Sequence, residues 1–478
     1  MFKKISWSES LKKNCVIFGF RSKPIQLELV FEIAIQRARD GYSVLIAWGG
    51  EDVYYNEIYK GKHSILWARP FYRLYARVQN EGLDITLDDT WLKTSYSQHP
   101  YVTVQASTVA DYRSVVHEGY EVGTAAISVL TDVLKVDATA IPIDSVRDQL
   151  GLIISSSLNV YKKALDLLTN FRADEVVVFN GRFGPESAVA NASKAKGVKV
   201  FYYEYYWPKA GYLCWPFQVH DVREYSKLMY QYWDAADDSP VREAVAKQWF
   251  DTRIQSEELL LSPRTGVKLK FDKCSTREDF INKYSLPKKY VVYYQSSDDE
   301  YVGVASSNGT CFPWDNQLDF VRILEQNLPA DTCLVIRIHP HMREKSEIDR
   351  QRWQALAAEL TSAKFFFEDS NIDSYDLGRY SQKAVVCRST IGAELLYMGV
   401  PVLVASDSYY ENATGCQKLS SVESIKSKVT SVVEVDPSGV LPCGYFRATF
   451  KGTQPRYLTV NSEDEVTFDG VNYFHGFL

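Results

Sequence analysis

The sequence predicts an α/β protein built from two Rossmann-like, doubly wound halves that face a cleft. Three observations predict it. The chain has 478 residues, too many for one ordinary core and enough for two large domains. Apolar strand-like runs alternate with helix-patterned segments, first as an opening β-α-β and again as a longer β-α-β-α series beyond Tyr290. At 46% hydrophobic and 24% charged residues the composition is that of an ordered chain, so each half can bury a core.

In order, the first half opens with a strand from Cys15 to Phe20, a helix from Gln26 to Arg39 and a strand from Ser43 to Trp48. Tyr54 to Glu118 is aromatic-rich and shows no clear period. A long helix pattern spans about Asp144 to Asn170, then a buried strand, Glu175 to Phe179, ends in Asn180-Gly181-Arg182. A helix begins near Pro185-Glu186, and Val198 to Tyr203 forms a strand that ends at Glu204. The charged, helix-patterned stretch from Asp221 to Asp272 reads as the connection between halves. The second series has strands at Tyr290 to Gln295, Cys333 to Ile338, Lys364 to Phe367, Ala384 to Cys387 and Pro401 to Ala405. Its helices run from Asp315 to Gln326, from Glu344 to Leu360, near Tyr375 and from Ser389. The expected domains are residues 1–272, residues 273–431 and a short β-like tail, 432–478, that packs back on the body. No internal sequence repeat is visible.

A net charge of −6 and the lack of a basic stripe argue against a nucleic-acid partner, which needs cations to offset phosphates. No apolar run reaches the roughly 20 residues of a membrane span. The N-terminus shows no apolar signal region, so the expected location is cytoplasmic. Met1-Phe2-Lys3-Lys4 and Lys12-Lys13 are the candidate peripheral contact with an anionic inner-membrane face, with a merely solvated start as the alternative. The 8 Cys include no Cys-x-x-Cys pair, which reads as reduced thiols and not as a zinc site or disulfide framework.

Three strand-end constellations carry the candidate chemistry. Ser389-Thr390-Ile391-Gly392-Ala393-Glu394 follows a buried strand and opens a helix, where unpaired N–H groups and hydroxyls suit an anion. Gly392 permits close backbone approach, and Glu394, one turn on, can accept ribose hydroxyls. The alternative is an ordinary cap with a capping-box Glu. Arg337-Ile338-His339-Pro340 also follows a strand, and ligands of open α/β sheets bind at that edge. His339 can donate to a phosphate oxygen or protonate a leaving group, with a structural His as the alternative. Gln295-Ser296-Ser297-Asp298-Asp299-Glu300 offers carboxylates for nucleophilic work, against a solvated acidic loop. Trp314-Asp315-Asn316-Gln317 reads as a simple Asp cap of the next helix. In the first half, Asn180, Arg182 and Glu204 end strands; Glu204, among aromatics, is an acid/base candidate, with pairing to an Arg as the alternative. No Asp-x-Asp, Walker loop or His-Glu-x-x-His occurs, so no metal and no cofactor is expected.

Taken together, Arg337-x-His339-Pro340 and Ser389-Thr390-x-Gly392-x-Glu394 with Gly399-Val400-Pro401 resemble the capsule polysaccharide biosynthesis family, which includes bacterial Kdo transferases; Kdo is an eight-carbon keto-sugar acid. The His-Pro and Ser/Thr motifs are also similar to those of bacterial sialyltransferases. The resemblance implies the two-lobed GT-B layout and a CMP-activated donor, with Arg337, His339, Pro340, Ser389, Thr390, Gly392 and Glu394 at the nucleotide. Gln295-x-x-Asp298-Asp299 resembles the Gln-x-x-Asp-Asp of the Kdo transferases, which implies Asp298 as nucleophile of a retaining transfer, with Asp299 second. Glu204 resembles their acid/base, although Glu204-Tyr205-Tyr206-Trp207 replaces their Glu-Asp-Gly-Phe. The implied partners are a nucleotide-sugar donor and an oligosaccharide or lipid-linked glycan of capsule or lipopolysaccharide assembly. The alternatives are a UDP- or GDP-sugar transferase, a CDP-polyol phosphotransferase and a non-catalytic scaffold of the same fold, since fold alone does not decide function.

Overall fold

The structure, a computed structural model, describes residues 12–20, 24–49, 53, 64–92, 109–206, 211–236, 239–256, 258–262, 267–296, 313–314, 316–461 and 465–473. Asp298, Asp299, Asp315 and the lysines at positions 3 and 4 lie outside the described residues. The chain forms two compact units: Met1–Val133, Ile141–Val219 and Lys451–Leu478 in the first, Leu134–Ala140 and His220–Phe450 in the second.

The first unit is built on strands β1 (Asn14–Gly19), β2 (Ser43–Trp48), β3 (Ile85–Asp88), β4 (Glu175–Phe179), β5 (Lys199–Tyr206) and β6 (Gly211–Trp215), in the order β3-β2-β1-β4-β5-β6. All pairs are parallel except β5 with β6. Its helices are α1 (Gln26–Arg39), α2 (Ser64–Gln79), α3 (Val109–Tyr112), α4 (Val122–Leu134), α5 (Ile143–Phe171) and α6 (Gly184–Ala195). Strand β4 is buried at every residue, which explains its unbroken apolar run. Strand β5 continues past the expected end, so Glu204 sits inside it, opposite Leu213 of β6, and not on a loop.

The second unit adds α7 (Val222–Asp234), α8 (Ser239–Gln255), the hairpin β7 (Glu258–Ser262) and β8 (Val267–Lys270), and α9 (Arg277–Tyr284). Its sheet contains β9 (Tyr290–Tyr294), β10 (Cys333–Arg337), β11 (Lys364–Phe366), β12 (Lys383–Val386), β13 (Val402–Val404) and β14 (Cys416–Lys418). They are ordered β11-β10-β9-β12-β13-β14, all parallel. The remaining helices are α10 (Gln317–Gln326), α11 (Glu347–Glu359), α12 (Ser374–Arg379), α13 (Ile391–Tyr397), α14 (Val422–Thr430) and α15 (Leu441–Thr449), and a 3₁₀ turn spans Pro340–Glu344. Both sheets therefore share the doubly wound order 3-2-1-4-5-6, which reverses winding direction between β1 and β4 and again between β9 and β12.

Several segments differ from the expectation. Residues 220–272 belong with the second unit because Met229, Phe250 and Ile254 share a core with Tyr290, Val292 and Phe446. The region from Val432 is not β-like at its start: it forms α15. Pro442 sits in the first turn of that helix, where a missing N–H costs nothing. Gly444 is there for contact, since a Cβ would lie 2.7 Å from the Ala246 carbonyl on α8. The chain then returns to the first unit, where strands β15 (Leu458–Val460) and β16 (Val466–Phe468) form a hairpin. Buried Glu32 on α1 fixes that return by accepting N–H groups of Arg456, Tyr457 and Leu458 at 2.8, 2.8 and 3.1 Å. The cap of α10 is Asn316, whose side chain accepts from the Asp319 N–H at 2.9 Å. Among the described residues no helix is long and apolar enough to cross a membrane.

Candidate functional site

A cavity of 350 Å³ opens in the second unit, lined in part by Gln295, Arg337, His339, Pro340, Ser389, Thr390 and Glu394. That size falls near the lower end of the roughly 300–1,000 Å³ typical of small-molecule sites. It lies at the carboxyl ends of β9, β10 and β12, which meet at the winding reversal of the sheet. Seven candidates from three separate strand ends thus converge on one space.

Strand ends are braced to each other before any ligand is considered. The Gln295 N–H donates to the Arg337 carbonyl at 3.0 Å, and its Oε1 accepts from the His339 N–H at 3.1 Å. Ser296 Oγ donates to the Cys387 carbonyl, and Gln317 Nε2 donates to the Ser296 carbonyl at 2.8 Å. Gln295 is thus a buried clamp between β9 and β10.

Arg337 is 2% exposed. Its Nη1 donates to the Phe367 carbonyl at 2.6 Å and its Nη2 to the Ser370 carbonyl at 3.1 Å. No carboxylate ion-pairs with it among the described residues. Burial pushes its pKa down to about 10, which leaves it a cation at neutral pH. Glu368 and Asp373 act on its charge only from beyond ion-pair distance, so an anionic ligand in the cavity would be its first direct counter-charge.

His339 caps the 3₁₀ turn: its Nδ1 accepts from the His341 N–H at 3.1 Å. That bond places the ring proton on Nε2. Burial, followed by the nearby His341, Arg337 and Lys345, lowers its pKa to about 4. At neutral pH the ring is therefore an uncharged hydrogen-bond donor and not the proton source the sequence left open. Pro340, fixed in φ and without an N–H, opens the turn directly after it.

Helix α13 starts at Ile391, two residues later than expected, and has seven residues. Thr390 makes no side-chain cap bond, and neither the Ser389 nor the Thr390 hydroxyl has a partner among the described residues, so both remain available to a ligand. No capping box forms with Glu394. Gly392 has a different role from the expected approach to a ligand. A Cβ there would lie 2.1 Å from Tyr410 Oη, which donates to the Ser389 carbonyl at 2.6 Å. The glycine makes room for the tyrosine that pins the Ser389 backbone.

Glu394, 1% exposed, is already engaged: Arg253 Nε donates to Oε1, and Tyr375 Oη donates to Oε2 at 2.9 Å. Arg253, Tyr375, Thr252, Ser256 and Phe271 line the cavity and were not legible as site residues. They come from the end of α8 and the residue just after it, from the residue that follows β8, and from α12, and no motif marks them.

The first-unit candidates lie at the equivalent end of their own sheet. Asn180 adopts φ 49° and Gly181 φ 87°, a left-handed pair that turns the chain off β4. Asn180 Nδ2 donates to Glu204 Oε2 at 2.8 Å. Arg182 pairs with Asp132 of α4 at 3.5 Å and lies over the Phe183 ring. Glu204 is thus held by the Asn180 amide. Among the described residues no group of His, Cys, Asp and Glu is placed to hold a metal ion.

No family model matches the chain, and no curated protein matches it. Solved structures similar to it include the Thermosulfurimonas dismutans KpsC beta Kdo 2,7 transferase, at 14% identity over 60% of this chain and 80% of that one, with a TM-score of 0.33. The S. aureus MnaA–UDP co-structure is similar at 13% identity over 93% and 92%, TM-score 0.22. The Methanocaldococcus jannaschii UDP-GlcNAc 2-epimerase is similar at 11% identity over 90% and 97%, TM-score 0.28. The fold of this chain stands on its own strand order and register.

Proposed function

We propose that the chain is a metal-independent glycosyltransferase of surface-polysaccharide assembly, whose second unit binds the phosphate of a CMP-activated keto-sugar acid. The observation that supports the phosphate reading is Arg337, a buried cation that makes no direct ion pair among the described residues, on a cavity also lined by His339 and by the unengaged Ser389 and Thr390 hydroxyls. The choice of CMP and of an acidic sugar rests on the resemblance of the Arg-x-His-Pro and Ser-Thr-x-Gly motifs.

In this reading Asp298 attacks the anomeric carbon, the bond to the phosphate oxygen breaks and CMP leaves with the electron pair. A phosphate leaving group carries its charge without needing a proton. A neutral donor at His339 and the Arg337 charge are therefore sufficient, and no imidazolium is required. Glu204 then takes the proton of the acceptor hydroxyl, whose oxygen displaces Asp298 and restores the original configuration. Asp298→Ala should abolish transfer while nucleotide affinity stays intact, measured by donor turnover and by titration. Full turnover in that variant would remove Asp298 from the mechanism.

A further inference from the structure

We propose that Arg253 is a second anion-binding residue of the cavity and takes an oxyanion that neighbours the phosphate, a proposal that rests on the nucleotide reading above. Arg253 stands in the last turn of α8 and lines the same cavity as Arg337 and His339. Its Nε donates to buried Glu394, which is itself fixed by the Tyr375 hydroxyl at 2.9 Å. The Trp249 ring lies 5.1 Å from its guanidinium carbon. These contacts fix the plane of the fork, yet Nη1 and Nη2 meet no acceptor among the described residues. The side chain is 44% exposed while its carboxylate partner is 2% exposed, so the unused edge is the accessible one.

A guanidinium held through Nε presents parallel N–H groups that match two oxygens of one planar or tetrahedral anion. Glu394 cancels much of the Arg253 charge, so Arg253 contributes direction more than field. It suits an oxyanion already delivered by a phosphate on Arg337. Two ligand chemistries present one there: the carboxylate of an acidic sugar, and the β-phosphate of a nucleoside diphosphate. Glu394 is then a positioning residue, which explains why a carboxylate expected at the ribose is spent on an arginine.

The test is isothermal titration of the full chain with CMP, CDP and CMP-N-acetylneuraminate, in wild type, Arg253→Gln and Arg253→Lys. Arg253→Gln should weaken a ligand with the second oxyanion about tenfold more than it weakens CMP, the scale of a lost charge-assisted pair. Selective loss of the acidic-sugar ligand identifies a carboxylate, and selective loss of CDP identifies a second phosphate. Arg253→Lys keeps the charge beside Glu394 and should show the same selective loss, smaller, which covers poor folding of the glutamine variant. Equal weakening of all three ligands, or of none, overturns the proposal and leaves the nucleotide reading standing. If wild type binds none of the three, the nucleotide reading falls and this proposal with it.

Discussion

Because burial and nearby cations hold His339 near 4, its ring meets a phosphate at pH 7 as a neutral donor, already oriented by the His341 N–H. His339→Ala should weaken nucleotide binding about ten- to a hundredfold, the range for a hydrogen bond to a charged group. The same depression has a stability consequence. Between about 6.5 and 4 the unfolded chain takes up a proton that folded His339 refuses, so this contribution is lost as pH falls through that window. Glu28 on α1 has the opposite sign. Burial raises its pKa from 4.5 to about 7, so the folded chain holds the extra proton there and stability falls as pH rises through that range. Glu28→Gln should therefore gain melting temperature over wild type, by more at pH 8 than at pH 5. A gap that does not widen with pH contradicts the assignment. At this scale the sequence revealed the residue types of the site but not their pairings. Arg253 and Glu394 are separated by 141 positions, and nothing local marks them as partners.

Elements were legible where burial imposed a pattern. Residues Gln26–Arg39, Ser43–Trp48 and Glu175–Phe179 form the helix and strands expected of them, because their apolar stretches enter the core whole: the helix is buried on every side from Leu27 to Ile35, and the strands along nearly all of their length. Legibility failed where a local rule was overridden by packing. Pro442 and Gly444 fall in the tail expected to be β-like, yet one occupies the tolerant first turn of a helix and the other admits the backbone of α8. Strand β14 is three residues, Cys416-Gln417-Lys418, at a sheet edge, too short and polar to alternate. Gly392 in α13 and Gly399 just beyond its C-terminus separate two uses of glycine. Gly392→Ala should cost about 1–3 kcal/mol, because the new methyl displaces Tyr410 and its bond to Ser389. Gly399→Ala meets no atom within 4 Å, and its φ of 80° alone should cost about 1 kcal/mol. Thermal midpoints of the two variants compare these directly, and the reverse ranking would contradict the packing argument.

On the scale of the whole molecule, one strand order appears twice without a repeat in sequence, since each sheet needs only buried strands and amphipathic helices in the same succession. The alternation of elements was enough to predict two doubly wound halves. It did not show that residues 220–272 build the wall of the second unit's cavity, because a charged helix gives no sign of which core its apolar face joins. The central claim is that this cavity holds the phosphate of a nucleotide. The measurement that tests it most directly is a thermal-shift series of wild type and His339→Ala with CMP, CDP, UMP, UDP and GDP. A ligand at a hundred times its Kd stabilises by about 2.7 kcal/mol, a shift of a few degrees. The account predicts such a shift with CMP in wild type and its fall to about half or less in His339→Ala; the absence of a shift with every nucleotide would contradict it.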